Sequence, residues 1–224
     1  MKIIARIYTD FPDKFGIPRQ SGLVPELCGR IVFEPEYRNP DALRGIEDFS
    51  HIWLIWKFSE SVREEWSPTV RPPRLGGDTR MGVFATRSPF RPNPIGLSCV
   101  KLQRIVQESE GPVIYVSGID MMDGTPIYDI KPYLPYADCK PEALSGFAGD
   151  FVDYHLNVKF TQEILEQIPK EKRKALIGAL SKDPRPSYQN DPDRVYGMSF
   201  AGMNIKFKVH KNVLMVVDME KCDS

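Results

Sequence analysis

The chain has 224 residues, of which 42% are hydrophobic, enough to bury a sizeable core in one large domain or two modest ones. Thirty Lys and Arg balance thirty Asp and Glu, which excludes the general polyanion-binding surface of very basic proteins, so any affinity for nucleic acid must come from local charge. Four scattered cysteines without a CxxC pair argue against a zinc site or a disulfide framework. No stretch has the length and apolarity of a membrane span or a signal peptide, so we expect a cytoplasmic protein without membrane contact or bound metal.

Short apolar runs bounded by turn residues make the first 135 residues strand-rich. The predicted strands are Lys2–Tyr8, Gly29–Phe33, Ser50–Phe58, Met81–Thr86, Leu97–Ile105 and Val113–Gly118. One helix is predicted among them, Asp41–Ile46, with Asn39 as its cap and Pro40 at its first position. The alternation of strands and long helices that is typical of a doubly wound sheet is missing. We therefore predict a mainly β fold built on an antiparallel β-barrel of the non-Rossmann kind.

The last third of the chain has a different pattern. It is helical from Thr161 to Leu180, and Pro169 is predicted to start a second helix there. Val195–Ser199 and Ile205–Val209 are predicted to pair as strands, and Val213–Asp218 follows a turn at residues 210–212. We therefore divide the chain into a barrel domain at residues 1–140 and a small α+β domain at residues 141–224.

Residues 66–95 hold six of the twenty prolines, which predicts a long irregular loop. Between residues 68 and 95 the basic residues are all arginine, and the only acid is Asp78, a net charge of +4; the arginines are Arg71, Arg74, Arg80, Arg87 and Arg91. Arginine binds phosphate or carboxylate through two parallel hydrogen bonds. The alternative is that these side chains only tie the loop to the body of the protein. The loop would then be a rigid barrel corner that binds no ligand.

Residues 118–133 carry three acids, Asp120, Asp123 and Asp129, around an Asp123-Gly124 turn. The backbone of such a turn suits an adenine edge or a ribose better than a phosphate when acids surround it. No Walker loop or GxGxxG pattern occurs, which disfavours ATP, GTP and a Rossmann-bound dinucleotide. The alternative is an ordinary hairpin whose acids cap the turn.

Two further places in the sequence combine residues that could bind or react. Arg185 and Tyr188 pair a phosphate-binding group with a stacking ring, a combination that suits single-stranded nucleic acid, although a plain helix-to-strand connector would explain them too. His51 lies in a predicted strand, where a hydrogen-bonded structural histidine is the alternative to a functional one.

Several motifs, taken in order, resemble the TrmO (YaeB/TsaA-like) family over nearly the whole chain. They are PRQ at 18–20, RGIEDFSHIW at 44–53, RPPRLGG at 71–77, GVFATRSPFRPNPIGLS at 82–98, DGTPIYDIKPYLPYA at 123–137 and DPRPSY at 183–188. The resemblance implies a homodimeric tRNA methyltransferase with cofactor sites at the subunit interface. It would transfer a methyl group from S-adenosylmethionine to N6 of N6-threonylcarbamoyladenosine at tRNA position 37.

The resemblance also implies the site residues. Carried over by motif, the cofactor residues are Pro18, Arg19, Gln20, Ser59, Glu60, Arg87, Leu97, Asp123, Gly124, Thr125 and Pro126. The tRNA contacts are predicted from the residues themselves, that is, from the charge of the proline-rich loop and the pairing of a cation with a ring: Arg71, Arg74, Arg91, Arg185 and Tyr188.

The attacked nitrogen must lose a proton, which invites a general base, and the hypotheses for it are Asp120, Asp129 and His51. The alternative function is a non-catalytic RNA-binding barrel that uses the same arginines without a cofactor. An enzyme acting on a free nucleoside is a third reading.

Overall fold

A computed structural model describes residues 1–62, 65–76, 79–151, 154–185, 189 and 191–222. The strands are β1 (Ala5–Tyr8), β2 (Cys28–Phe33), β3 (His51–Lys57), β4 (Thr69–Val70), β5 (Met81–Gly82), β6 (Ile95–Glu108), β7 (Gly111–Ser117), β8 (Thr125–Pro132), β9 (Asn157–Lys159), β10 (Tyr196–Phe200), β11 (Met203–His210) and β12 (Val213–Lys221). The α-helices are α1 (Pro135–Asp138), α2 (Gln162–Gln167) and α3 (Lys170–Ser181). Short 3-10 helices lie at Pro35–Tyr37, Pro40–Leu43, Ile46–Asp48, Ser59–Ser61, Pro73–Leu75, Val83–Ala85 and Gly146–Phe151.

Six strands close into an antiparallel barrel in the order β1-β2-β7-β6-β3-β8. The alternation of side chains along each strand explains why these sequences line it. In β3, for example, Ile52, Leu54 and Trp56 are buried inside the barrel, while the residues between them are only partly buried. The closed barrel confirms the predicted fold class.

A second, smaller α+β unit follows, which we call the C-terminal unit (β9, α2, α3 and β10–β12). Its sheet has the order β10-β11-β12-β9, with β9 parallel to β12 and the other pairs antiparallel. Leu176 and Leu180 of α3 are buried in a core shared with this sheet. The predicted pairing of the strands after residue 195 is confirmed, whereas the division of the chain near residue 140 stays a prediction.

Two predicted elements differ in the structure. The strand Met81–Thr86 is wrong, because only Met81–Gly82 pairs with β4, and a 3-10 turn follows at Val83–Ala85. The helix Asp41–Ile46 is a 3-10 turn at Pro40–Leu43, although its predicted cap is present: the Asn39 side chain accepts a hydrogen bond from the Asp41 amide at 3.0 Å. The residues after the Asp123-Gly124 turn do not form the ordinary hairpin of the alternative interpretation; they form β8, which closes the barrel by pairing with both β1 and β3.

One close approach fixes the packing of two neighbouring strands. Gly96 of β6 lies opposite Trp56 of β3, and a Cβ added at Gly96 would be 2.2 Å from the indole ring. Glycine is therefore required at this position by the ring beside it.

We expect Gly96→Ala to lower the free energy of unfolding by roughly 1–3 kcal/mol, because the methyl group forces Trp56 out of its packed position. Gly82→Ala is the matched control, since nothing lies within 4 Å of a Cβ there and its φ of −57° suits alanine. Urea unfolding measures both variants. Equal stabilities of the two variants would contradict the packing constraint.

Candidate active site

A chain of three hydrogen-bonded side chains forms the floor of the candidate site. Trp56 of β3 donates from Nε1 to the Ser98 hydroxyl at 2.9 Å, and Ser98 of β6 donates to Oδ1 of Asp120 at 2.6 Å. Trp56 and Ser98 point into the barrel because both stand at buried positions of their strands. These hydrogen bonds therefore fix one oxygen of the Asp120 carboxylate at the mouth of the barrel.

The environment of Asp120 changes its proton affinity. Burial raises the pKa of this carboxyl from 3.8 to about 6, against the opposing effects of the Ser98 hydroxyl, the Ser21 backbone N–H and the positive charge of Arg87. The folded protein consequently binds more protons here than the unfolded chain between pH 4 and 6. Asp120 therefore lowers the free energy of unfolding as the pH rises through this range, and it can exchange a proton near neutral pH.

Three segments distant in the sequence meet beside this carboxylate. The loop after β1 is attached to the segment before Asp120 by a hydrogen bond from the Gly22 amide to the Gly118 carbonyl at 2.8 Å. From the proline-rich loop, the Arg87 guanidinium donates to Oε1 of Gln20. Arg87 itself is exposed. The structure thus brings together Gln20, Arg87 and Asp120, which the sequence analysis took from three separate motifs.

The two residues that precede Gln20 in the PRQ motif differ in exposure. Pro18 is buried, whereas Arg19 is exposed, and its carbonyl accepts a hydrogen bond from the Gln20 amide group.

The Asp123-Gly124 turn lies at the end of β1. Oδ1 of Asp123 accepts from the Thr9 amide at 2.8 Å, and the Gly124 amide donates to the Ile7 carbonyl at 2.9 Å. Gly124 has a φ of +71°, a conformation that favours glycine. Thr125 and Pro126, which follow in β8, are buried. The turn is therefore held rigidly, while Asp123 itself stays exposed.

The remaining residues implied for the cofactor form an exposed rim. Ser59 and Glu60 lie in the 3-10 turn that follows β3, and both are exposed. Leu97 is 54% exposed on the outer side of β6, a large apolar side chain in contact with solvent. The Phe58 amide donates to the Pro94 carbonyl at 2.9 Å, which joins this turn to the end of the proline-rich loop.

The other two residues considered as bases have different surroundings from Asp120. Asp129 lies opposite Ile55, on the outer face of the barrel, where Lys131 pairs with it at 2.9 Å. His51 is at the opposite end of β3 from Trp56, five residues or roughly 16 Å away at the usual strand rise. Its Nδ1 is 2.9 Å from the Ser50 hydroxyl.

The arginines of the proline-rich loop have different contacts. Arg71 is exposed, and the side chain of Arg74 lies outside the described residues. Arg91 donates from Nη1 to the carbonyls of Val83 and Thr86, at 3.0 and 2.9 Å, and its guanidinium stacks over the Phe84 ring at 5.4 Å. Arg91 thus ties the loop together, as the alternative interpretation expects of some of these side chains.

Arg185 is internally paired. It is only 8% exposed, and it donates from Nε and Nη2 to the two carboxylate oxygens of Asp183, each at 2.9 Å. Tyr154 donates a further hydrogen bond to Asp183 at 2.8 Å. This bidentate pair occupies the groups with which Arg185 would bind a phosphate. Tyr188, its predicted stacking partner, lies outside the described residues.

Sequence reasoning missed Ser98, Trp56 and Ser21. The available signal was a serine at a buried position of a strand, because a buried hydroxyl needs a partner and Asp120 supplies it. Within the described part of the chain, no group of three or more His, Cys, Asp and Glu is arranged to hold a metal ion. Across the same residues, none of the helices has the length and apolarity needed to cross a membrane.

The chain is similar to known proteins over most of its length. Residues 6–139 match the family model of the tRNA-methyltransferase O N-terminal domain, and residues 153–222 match the TrmO C-terminal domain. An Escherichia coli relative, named tRNA (adenine(37)-N6)-methyltransferase, is 40% identical over 92% of this chain and 91% of its own length. A Pseudomonas aeruginosa relative, named putative S-adenosylmethionine-dependent methyltransferase RcsF, is 36% identical over 96% of this chain and 95% of its own.

A crystal structure of TrmO from Pseudomonas aeruginosa superposes with a TM-score of 0.78 at 32% identity, covering 98% of this chain and 95% of that one. Both family models lie in the expected order and together span most of the sequence. The chain belongs to the tRNA-methyltransferase O family.

Proposed function

We propose that this protein is a tRNA methyltransferase that moves a methyl group from S-adenosylmethionine to N6 of the adenosine at position 37, in its N6-threonylcarbamoyl form. The observation that carries the proposal is the meeting of Gln20, Arg87 and Asp120 at one mouth of the barrel. The names of the relatives support the tRNA adenine and the methyl donor. Such a substrate implies a cytoplasmic enzyme.

The residues at the mouth of the barrel fit S-adenosylmethionine by their chemistry. The exposed guanidinium of Arg87 can bind a carboxylate, and the exposed side chain of Leu97 offers apolar surface to an adenine. At Gly124 there is open space where a side chain would stand, so a ligand can approach the backbone. When bound, the cofactor supplies an activated methyl group on a positively charged sulfur.

The chain's own contribution to the reaction is orientation and proton removal. The attacked nitrogen carries a proton that must leave, and Asp120 can accept it because its pKa of about 6 keeps it ionised at neutral pH. The hydrogen bond from Ser98 holds Oδ1 of the carboxylate in place. Asp129 has its charge paired with Lys131 and is the weaker hypothesis.

An exposed apolar surface supports a homodimer. Trp66 and Phe84 are 52% and 70% exposed, and their rings lie 6.0 Å apart. The two rings form an exposed apolar patch of a kind that commonly marks protein contacts, in the same proline-rich loop that carries Arg87. We infer that a second copy covers this patch and completes the site. A chain that sediments as a monomer at micromolar concentration would contradict the dimer.

The first prediction concerns the cofactor. S-adenosylhomocysteine should bind the full chain with micromolar affinity in calorimetric titration, and Arg87→Ala should weaken binding at least tenfold, because the carboxylate loses its charged partner. Arg80→Ala is the matched control from the same loop, since the Arg80 guanidinium donates to the Thr69 hydroxyl at 3.3 Å and not to a described residue of the candidate site. Absence of binding in the unmutated protein would favour the non-catalytic RNA-binding barrel.

The second prediction concerns the base. Asp120→Asn should reduce kcat for methyl transfer by a factor on the order of 10² to 10⁴ and leave S-adenosylhomocysteine binding intact, whereas Asp129→Asn should keep most of its activity. In the unmutated enzyme kcat/KM should rise with pH to a plateau, with its midpoint near 6. Ser98→Ala should move the midpoint upward, because the lost hydrogen bond favoured the charged form. Full activity of Asp120→Asn would refute this role.

The third prediction concerns tRNA. Arg71→Ala should weaken tRNA binding and lower the slope of log affinity against log salt by about 0.9, the loss of one phosphate contact on a duplex. Arg44→Ala is the control, because Arg44 is also exposed but pairs with Asp41 outside this loop. An unchanged salt slope would remove Arg71 from the interface. Equal activity on the free nucleoside would show that intact tRNA is not required.

A further inference from the structure

The loop that carries Gln20 and Ser21 is held from two sides. This first loop, residues 9–27, joins β1 to β2. On one side it contacts the barrel through the hydrogen bond from Gly22 to Gly118, next to Asp120. On the other side it packs against the C-terminal unit, which is more than 130 residues away in the sequence.

A charged contact holds the start of the first loop. Nζ of Lys172, on α3, donates to both carboxylate oxygens of Asp10, at 2.8 and 2.6 Å. The two side chains are 34% and 19% exposed. Close by, the Ala201 amide, between β10 and β11, donates to the Asp10 carbonyl at 2.8 Å. Asp10 is therefore bound through both its side chain and its backbone by the C-terminal unit.

Apolar contacts continue along the loop. The fully buried rings of Phe11 and Phe200 meet edge to face at 5.2 Å. Gly16, with a φ of +91°, lies directly against Met198, so that an added Cβ would be 2.1 Å from the sulfur. Gly16 stands four residues before Gln20, so this packing holds the part of the loop that leads into the candidate site.

The end of the loop is held in the same way by α3. Val24 packs against the backbone of Gly178, where an added Cβ would be 2.4 Å from Cγ1 of the valine. The C-terminal unit thus contacts the first loop on both sides of Gln20 and Ser21 in the sequence.

We propose that Lys172 and Met198 are positioning residues for the methyl transfer, which act by holding the first loop so that Gln20 and Ser21 meet Arg87 and Asp120. The C-terminal unit then sets the affinity for the cofactor, in addition to any contact it makes with tRNA. A loop fixed before binding loses less conformational freedom when the ligand arrives. The inference rests on the proposed cofactor site.

The test is calorimetric titration of the full chain with S-adenosylhomocysteine, well below the melting temperature of each variant. Lys172→Met should weaken binding about fivefold, because it keeps the length of the side chain but removes the ion pair. Lys172→Arg should bind like the unmutated protein. Lys174→Met, an exposed position on the same helix, is the control.

Met198→Ala provides a second measurement that does not depend on charge. It removes the side chain packed on Gly16 and should weaken S-adenosylhomocysteine binding in the same direction, whereas Met215→Ala, at a 39% exposed position, should not. Lower melting temperatures with an unchanged Kd in both variants would overturn the inference, since the residues would then be structural only. Weaker tRNA binding with an unchanged Kd for S-adenosylhomocysteine would also overturn it. An unmutated protein that does not bind S-adenosylhomocysteine would instead remove the proposed function.

Discussion

The pairing of β1 with β8 is the constraint on which the site depends. β1 has only four residues, and it must pair with β2 on one side and β8 on the other to close the barrel. With Ile7 opposite Thr125, the end of β1 and the Asp123-Gly124 turn come to lie side by side. The first loop leaves the barrel from the same place. Two segments more than 100 residues apart therefore face one another because of a single strand pair.

The buried carboxylate of Asp120 shows how the fold gives up stability for function. An apolar residue there would avoid the free-energy cost of keeping a charge in a buried place above pH 6. The protein instead surrounds Asp120 with the Ser98 hydroxyl, a backbone amide and the charge of Arg87, each of which offsets part of that cost. Trp56 in turn fixes Ser98 and needs the absence of a side chain at Gly96. The pKa of Asp120 thus depends on the packing of Trp56 against Gly96, because Ser98 links the two.

Much of the fold follows from local patterns in the sequence. Alternation of apolar side chains predicts β2, β3, β6 and β7 to within a few residues, and a proline separates the two C-terminal helices as expected. The local pattern around the Asp123-Gly124 turn is equally typical of an ordinary hairpin, and only the pairing with distant strands makes β8 central to the barrel. β9 has three residues and is held by its parallel partner β12, so no local pattern reveals it.

The segments of the candidate site were predictable from local motifs, whereas the geometry of individual side-chain pairs was not. Gln20, Arg87 and Asp120 stand in recognisable segments, and the structure brings them together. The pairing of Arg185 with Asp183 depends on the conformation of Asp183, whose φ of +53° is uncommon outside glycine. The sequence shows both residues but not that geometry.

The contact between Asp10 and Lys172 also affects the order in which parts of the protein fold during synthesis. Their separation of 162 residues means that a ribosome makes the first loop early and its supports, α3 and β10, near the end. The six barrel strands are complete by residue 132. They can close while the first loop still lacks its outer contacts, because domains generally fold as units during synthesis. Synthesis of α3 and β10, and not closure of the barrel, is then the moment at which a nascent molecule gains a finished loop.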